Sequence, residues 1–359
     1  MKTGDRFDLA NGLRISCDWL SWTLEEPCTP SDALSMLGYK ESEFIALPTG
    51  RYGYSSQLKH ARYPISILYD GREGMGVHVD VSGSALSDVL SHFQKGRVSS
   101  TPFGTPAYHS ETFSSVLCDL LTCIRTAGKF TRFDSAIDDI GAKFYTVSDL
   151  YNEIKSGNCV CKFRKYKNLE ERQFSGDVTG HTLYLGSRTS EIMFRVYDKQ
   201  LEQNQKAFSS GSDPVLTPWV RWEMELKDTR ANAFVDSLLS GISLPQATVG
   251  VLSNYIRLIV QDNARKDRCS ISETWRLFLD GVSKLRLFVA SAVMTLERSI
   301  LHLKKQYGAI MAAIVQAEGG SVDIFHDIVT YGNAHMRKRH YDMIATYIPV
   351  DGGAHSVPV

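Results

Sequence analysis

Residues 180–199 read GHTLYLGSRTSEIMFRVYDK. A glycine-containing turn separates two segments with strand character, and each segment carries one tyrosine, Tyr184 or Tyr197. If the second segment is extended, its side chains alternate between two faces, which places Arg195, Tyr197 and Lys199 on the same face. The stretch therefore predicts a β-hairpin whose outer face combines a phenol with cations.

This grouping suits chemistry on a phosphodiester. Positive charge beside a tyrosine favours the phenolate, and it also neutralises a phosphate under attack. We therefore predict Tyr197 as a nucleophile, with Tyr184 as the alternative nucleophile. The predicted basic residues of the catalytic site are Arg195, Lys199 and Arg188. The competing interpretation is a structural hairpin whose aromatic and charged face is half exposed.

Carboxylates on other predicted strands offer a metal site. A divalent ion held by carboxylates can polarise a scissile phosphate, and Mg²⁺ or Mn²⁺ prefers oxygen ligands. Asp134 and Asp138 share one strand face but lie about 13 Å apart, so they bind one ion only if the strand bends. Glu223 is a cross-strand partner for one of them, and His78 is a further candidate as ligand or proton carrier. Surface salt bridges are the alternative role for these acids.

Composition limits the class of protein. The chain has 359 residues, of which 43% are hydrophobic and 22% charged, as in ordinary globular proteins. Its start is too polar for a secretory signal, and no apolar run approaches the roughly 20 residues that a bilayer needs, so we expect a cytoplasmic protein without a membrane segment. The net charge of zero argues against nonspecific coating of nucleic acid. A local basic stretch can still bind phosphates, and its candidate residues are Lys162, Arg164, Lys165 and Lys167.

The order of predicted elements indicates an α+β fold, with an antiparallel sheet and packed helices followed by a mainly helical region. We predict a sheet-rich domain over 1–228, a helical region for DNA binding or dimerisation over 229–350, and a flexible tail over 351–359. Within this scheme, residues 158–167 are predicted as one strand and residues 248–262 as one helix.

Six motifs in order carry a family resemblance. They are Asp18-Trp-Leu-Ser-Trp-Thr23, Gly76-Val-His-Val-Asp-Val-Ser-Gly83, Thr131-Arg-Phe-Asp-Ser-Ala-Ile-Asp-Asp139, Thr182-Leu-Tyr-Leu-Gly-Ser-Arg188, Phe194-Arg-Val-Tyr-Asp-Lys199 and Arg221-Trp-Glu-Met-Glu225. Together they resemble the replication initiation factor family, which comprises rolling-circle initiators of plasmids and filamentous phages and related relaxases. The motifs cover roughly residues 15–230, and the resemblance to the phage members extends over the whole length.

The resemblance implies an enzyme that nicks one strand of supercoiled origin DNA, keeps the 5′ end on a tyrosine and leaves a 3′ hydroxyl as primer. Tyr197 matches the family tyrosine in its Arg-x-Tyr-x-Lys setting, and Tyr184 is the competing assignment. The resemblance also implies Mg²⁺ or Mn²⁺ on acids such as Asp134, Asp138 and Glu223, a homodimer, and a host helicase of the UvrD type as partner.

One alternative function belongs to a different class. The chain could be a noncatalytic protein that binds or regulates an origin through its basic helices, and such a protein would not require Tyr197. No G-x-x-x-x-G-K-[ST] loop occurs in the sequence. Attack by a tyrosine conserves the phosphodiester energy in the covalent intermediate, so the predicted reaction needs no ATP.

Overall fold

An eleven-stranded antiparallel sheet organises the computed structural model, which describes residues 6–100, 116–279 and 296–345. The strands of this sheet are β1 (Arg6–Asp8), β2 (Arg14–Leu24), β3 (Phe44–Leu47), β4 (Ser56–His60), β5 (Ile65–Tyr69), β6 (Val77–Ser82), β7 (Gly128–Ile140), β9 (Tyr166–Arg172), β10 (Val178–Gly186), β11 (Ile192–Asp198) and β12 (Trp219–Lys227). Two short strands, β8 (Cys159–Cys161) and β13 (Ile256–Leu258), pair separately.

The helices are spread along the described chain. They are α1 (Pro30–Leu37), α2 (Ala85–Ser100), α3 (Val116–Ala127), α4 (Val147–Lys155), α5 (Lys199–Ser210), α6 (Asp228–Leu239), α7 (Leu244–Tyr255), α8 (Glu273–Phe278), α9 (Leu296–Ala317), α10 (Asp323–Ala334) and α11 (Lys338–Ala345). Several of these helices begin at capping residues that are evident in the sequence. Thr29 and Asp32 form a capping box at α1, and Ser243 and Gln246 form one at α7.

The strand order is β3-β4-β5-β6-β2-β7-β12-β11-β10-β9, with β1 added beside β2. The middle of the sheet therefore brings together strands from distant parts of the sequence. The pairing of β2 with β7 shifts register between Cys17 and Trp19. Because Asp18 is the extra residue of this bulge, the side chains of Asp18 and Trp19 both reach the polar face of the sheet.

Helices cover the other face of the sheet. Helices α2, α3 and α6 contact the central strands β2, β7 and β12. The ring of Phe133 on β7 packs against Phe234 of α6, with centroids 5.0 Å apart. Farther along, Trp222 of β12 packs against Trp275 and Phe278 of α8 at 5.6 and 5.1 Å. This continuous apolar layer holds the strands whose opposite face carries the ionisable residues.

The α+β class and the antiparallel sheet predicted from the sequence are confirmed. Two local expectations are wrong, and one helix was not predicted. The predicted strand 158–167 is two strands in different sheets, the predicted helix 248–262 is replaced by α7 and β13, and α5 has no counterpart in the prediction. In the first two cases tertiary pairing overrides a local pattern, because Ile256–Leu258 finds its partner in Cys159–Cys161, whereas α5 begins at a local cap formed by Asp198.

The chain divides into two compact units, residues 1–288 and 289–359. The predicted boundary at residue 228 falls inside the first unit, because α6 and α7 pack on the sheet. Of the second unit, the structure describes α9, α10 and α11. The predicted tail, 351–359, lies outside the described residues. Within the described part of the chain, no helix has the length and hydropathy that crossing a membrane requires.

Candidate active site

The face opposite α3 and α6 carries rows of polar side chains that run across neighbouring strands. One row joins Tyr184, Arg195 and Glu223, and the next joins Tyr197, Arg221 and Asp138. The alternation predicted for β7, β11 and β12 is therefore confirmed. Adjacent strands lie about 4.8 Å apart, so side chains in one row are within reach of their neighbours.

The hydroxyl of Tyr197 is held by side chains from two other elements. It donates a hydrogen bond of 2.5 Å to Oε1 of Glu223, and Nζ of Lys199 donates to it at 3.3 Å. Lys199 also pairs with Glu202 on the same helix. The phenol is thus hydrogen-bonded to a carboxylate that contacts two arginines, Arg195 and Arg221. This is the geometry of a nucleophile with its base.

The expected effect of cations on the pKa of Tyr197 is outweighed, although the charge of Arg221 does lower this pKa. Burial raises the pKa of the Tyr197 phenol above its ordinary range, and the negative charge of Glu223 raises it further. The two cations named in the prediction are largely neutralised, because Arg195 pairs with Glu223 and Lys199 pairs with Glu202. The resting Tyr197 is therefore a neutral phenol, and its proton has an acceptor already in place.

Arg195 connects this pair to the central strand of the site. Its Nη2 lies 2.8 Å from Oε2 of Glu223 and 3.4 Å from Oδ2 of Asp134. Arg132 contacts both oxygens of Asp134, at 2.8 and 2.5 Å. Burial nevertheless raises the pKa of Asp134 to about 7, with the charge of Glu225 adding to the increase. The buried Nε of Arg195 has no hydrogen-bond partner within the described residues.

A second arginine, Arg221, organises the neighbouring row. It binds both oxygens of Asp138, at 2.6 and 2.9 Å, and its Nη1 lies 2.7 Å from Asp18. Nε1 of Trp219 donates to Asp138 at 2.7 Å. The sequence analysis selected Asp138 but neither Asp18 nor Arg221. The alternation that places Glu223 on this face also places Arg221 there, which makes Arg221 an expected ion-pair partner of the acids, as it is for Asp138.

An open cavity of about 800 Å³ lies over these rows. Its lining includes both candidate nucleophiles, Tyr184 and Tyr197, together with Arg195, Lys199 and Glu223. The hydroxyl of Tyr184 has no hydrogen-bond partner in the parts of the chain that the structure covers, and Arg188 lies over its ring at 5.6 Å. The structure thus brings the predicted nucleophiles and their basic neighbours to one site.

The predicted metal ligands do not form one ligand group in this conformation. The carboxylates of Asp134, Asp138 and Glu223 are each ion-paired with an arginine. Among the described residues, no three His, Cys, Asp or Glu side chains converge to hold a metal ion. His78 lies elsewhere, on β6, where its Nδ1 is 3.0 Å from Thr23 Oγ1 and burial lowers its pKa. This donor set therefore does not fit a divalent ion unless the arginines release it.

The four predicted DNA-binding residues separate. Nζ of Lys162 contacts Asn254 at 2.6 Å, and Arg164 lines a cavity of about 210 Å³ beside Cys159 and Cys161. The other two, Lys165 and Lys167, line a cavity that Tyr184 also lines, and Lys165 lines the cavity of Arg164 as well. Only this second pair lies next to the candidate active site.

Comparisons with known proteins identify relatives of this chain. The model of the replication initiation factor family matches residues 128–329. The chain is 29% identical over 230 residues to NicK of Bacillus subtilis (strain 168), which is proposed to be a DNA relaxase. That match covers 63% of this chain and 64% of NicK, just under two thirds of the relative. A solved rolling-circle replication initiator protein from Geobacillus stearothermophilus is similar with a TM-score of 0.61 and 25% identity, over 77% of this chain and 99% of that one.

Proposed function

This chain belongs to the replication initiation factor family, and we propose that it initiates rolling-circle replication by nicking one strand of origin DNA and later rejoining it. The observation that carries the proposal is the pair formed by Tyr197 and Glu223 in an open cavity. The similarity to a rolling-circle initiator and to a proposed relaxase supports the same reaction class. The proposal includes that the protein acts in the cytoplasm of a bacterial cell.

In the proposed reaction, the hydroxyl oxygen of Tyr197 attacks the scissile phosphorus while its proton passes to Oε1 of Glu223. The bond between phosphorus and the 3′ oxygen breaks, and that oxygen takes a proton from solvent. The 5′ phosphate remains on the tyrosine. Arg195 lines the cavity, and its guanidinium offers positive charge to a phosphate oxygen, where charge develops during attack. Reversal by a 3′ hydroxyl returns the proton from Glu223 and rejoins the strand.

Tyr184 is the alternative nucleophile. It lines the same cavity, and it lies directly across from Arg195 in the register of β10 and β11. Its hydroxyl lacks a neighbouring carboxylate acceptor, which is why the geometry favours Tyr197. If Tyr184 attacks instead, the reaction class is unchanged and only the nucleophile moves.

Three further parts of the proposal rest on the family resemblance alone. They are a need for Mg²⁺ or Mn²⁺, action as a homodimer, and cooperation with a host UvrD-type helicase. Sedimentation of the purified protein tests the dimer, and unwinding of nicked origin DNA by the helicase with and without this protein tests the partnership.

The decisive experiment incubates the protein with supercoiled plasmid carrying the origin of its own replicon, in Mg²⁺ or Mn²⁺. Wild type, Tyr197→Phe and Tyr184→Phe are compared for nicking and for protein covalently attached to DNA. We expect loss of both with Tyr197→Phe only. If only Tyr184→Phe abolishes both, the nucleophile is Tyr184 and the reaction class is unchanged. Specific binding by wild type without any nick contradicts the proposal and favours a noncatalytic origin-binding protein.

A further inference from the structure

Two cysteines share one face of the short strand β8. Cys159 and Cys161 are the only cysteines in the sequence that a single residue separates, and alternate residues of a strand point to the same side. Both are held in register by β13, with Cys159 opposite Leu258 and Cys161 opposite Ile256. All seven cysteines of the chain are free thiols. The fold therefore places two reduced sulfurs side by side.

A small reagent can reach this pair of thiols. Cys159 and Cys161 are each partly exposed, and both line the cavity of about 210 Å³ that Arg164 also lines. Lys165 is a second cation in this lining, and none of the described lining residues is acidic. Reactive cysteines lie in partly exposed, electropositive surroundings of this kind, whereas fully buried structural cysteines are inert.

The two thiols differ in acidity. The neighbouring thiol of Cys159 lowers the pKa of Cys161; burial opposes this effect, and the backbone N–H of Phe163, which donates to Cys161 Sγ at 3.4 Å, adds to it. In turn, Cys161 raises the pKa of Cys159, and burial raises it further. The thiolate is the nucleophile in cysteine chemistry. Cys161 is therefore the more reactive sulfur, and Cys159 is the neighbour that keeps its proton.

The composition of this cluster favours redox chemistry over metal binding. A structural zinc site uses four Cys or His ligands. Within the described residues, no third His, Cys, Asp or Glu side chain joins Cys159 and Cys161 to hold an ion. A partly exposed cysteine of lowered pKa beside a second thiol is instead the arrangement of a redox-sensitive pair, in which the second thiol resolves the first oxidation product.

The backbone of β8 permits a disulfide between these cysteines, but a strained one. At a rise of about 3.3 Å per residue, the Cα atoms of Cys159 and Cys161 are about 6.6 Å apart, near the upper limit of about 6.8 Å for a disulfide. Formation of the bond must therefore shorten the strand slightly. Strained disulfides are reduced more readily than relaxed ones and are the labile, regulatory kind. Oxidation at this position is thus expected to be reversible.

We propose that Cys159 and Cys161 form a modification site at which hydrogen peroxide produces a reversible disulfide. First, the Cys161 thiolate attacks a peroxide oxygen: an S–O bond forms, the O–O bond breaks, and the leaving hydroxide takes a proton from solvent. Next, the sulfur of Cys159 attacks the Cys161 sulfenic acid: the S–S bond forms, the S–O bond breaks, and water leaves with the Cys159 proton. The two thiols are oxidised and the peroxide is reduced to water. This inference does not rest on the proposed nicking function.

Peptide mapping of the full-length protein tests this site without DNA. The reduced protein is treated with hydrogen peroxide, its remaining thiols are blocked with N-ethylmaleimide, and trypsin releases residues 156–162, which contain Cys159 and Cys161 and no other cysteine. We expect this peptide to become two hydrogen atoms lighter and to lose both alkylation sites, and dithiothreitol to restore them. Cys123, a partly exposed thiol on α3, is the internal control and should be oxidised more slowly.

Three variants separate the roles of the two sulfurs. Cys159→Ser removes the resolving thiol, so the sulfenic acid of Cys161 should accumulate and react with dimedone. Cys161→Ser removes the thiolate, so its Cys159 should be oxidised at least about tenfold more slowly than Cys161 of wild type, the change in thiolate fraction that one pKa unit makes. Cys123→Ser should form the disulfide like wild type. Circular dichroism confirms that each variant is folded.

Two results would overturn the inference, and both are read from the wild-type protein. If Cys159 and Cys161 are oxidised no faster than Cys123, the pair is not a redox site. If their products are sulfinic acids or disulfides between two protein molecules, the two sulfurs do not bond to each other. Neither readout depends on nicking, so failure of the proposed function would leave this inference standing.

Discussion

The phenol of Tyr197 and the carboxylate of Glu223 lie on neighbouring strands and form a hydrogen bond of 2.5 Å, although 26 positions separate them in the sequence. The bond is diagonal in the sheet, because Tyr197 is directly opposite Arg221 and Glu223 is directly opposite Arg195. Each member of the pair thus has a cation beside it. Glu223 supplies a proton acceptor for a phenol whose pKa is raised. Lysine and arginine alone would supply positive charge but no acceptor.

Replacing Glu223 with glutamine tests this base. The amide still accepts the phenolic hydrogen bond but does not take up the proton, so we expect nicking to slow about 10²-fold to 10⁴-fold with DNA binding retained. Single-turnover nicking at saturating protein measures the rate. Glu225→Gln is the control, since Glu225 pairs with Arg132 and Lys227 instead of the phenol. Equal slowing in both variants would show that the ion-pair network matters and that Glu223 is not a specific base.

Asp134 makes stability depend on pH. Its pKa is about 7 in the folded protein against an ordinary 3.8, so between these values the folded state keeps a proton that the unfolded chain releases. This contribution is fully present below pH 4 and is lost as the pH rises to 7, with a slope of at most about 1.4 kcal/mol per pH unit. Asn mimics the protonated acid. Urea unfolding from pH 4 to 7 should therefore show Asp134→Asn gaining stability relative to wild type, and a constant difference between them would contradict the raised pKa.

The apolar layer under the site should be sensitive to truncation. Phe234 is fully buried against Phe133, so Phe234→Ala is expected to cost about 3–5 kcal/mol of unfolding free energy. Phe208, at the end of α5, is 91% exposed, and the same substitution there should change stability by less than about 0.5 kcal/mol. Denaturant unfolding of both variants gives the comparison. Similar losses in the two would mean that Phe234 is not part of a packed core.

Removing divalent ions tests the proposed metal requirement. The three candidate carboxylates are held by arginines, so a bound ion must compete with those ion pairs. We expect EDTA to abolish nicking and added Mn²⁺ to restore it. Calorimetric titration of Mn²⁺ into wild type and Glu223→Gln checks whether Glu223 takes part. Full nicking in EDTA would remove the metal from the proposal.

Local patterns in the sequence were sufficient to predict the polar face. Alternation with a period of two is a property of each strand alone, so Asp134, Asp138, Tyr197 and Glu223 could each be assigned to a polar face of their own strand before the strand order was known. The helical apolar pattern over 112–127 likewise predicted a helix that packs on the sheet, and α3, which begins at Val116, does so. The α+β class followed from the order of these elements.

What the sequence by itself determined was therefore the type of each principal element and the polarity of its faces. Tertiary structure alone decided which charges meet. Asp18 reaches Arg221 across 203 positions through a bulge, and Lys167 reaches Tyr184 because β9 pairs with β10. It also decided that Tyr197 is a neutral phenol. The pKa of a group depends on burial and on charges from other strands, and these are fixed only when the sheet has assembled.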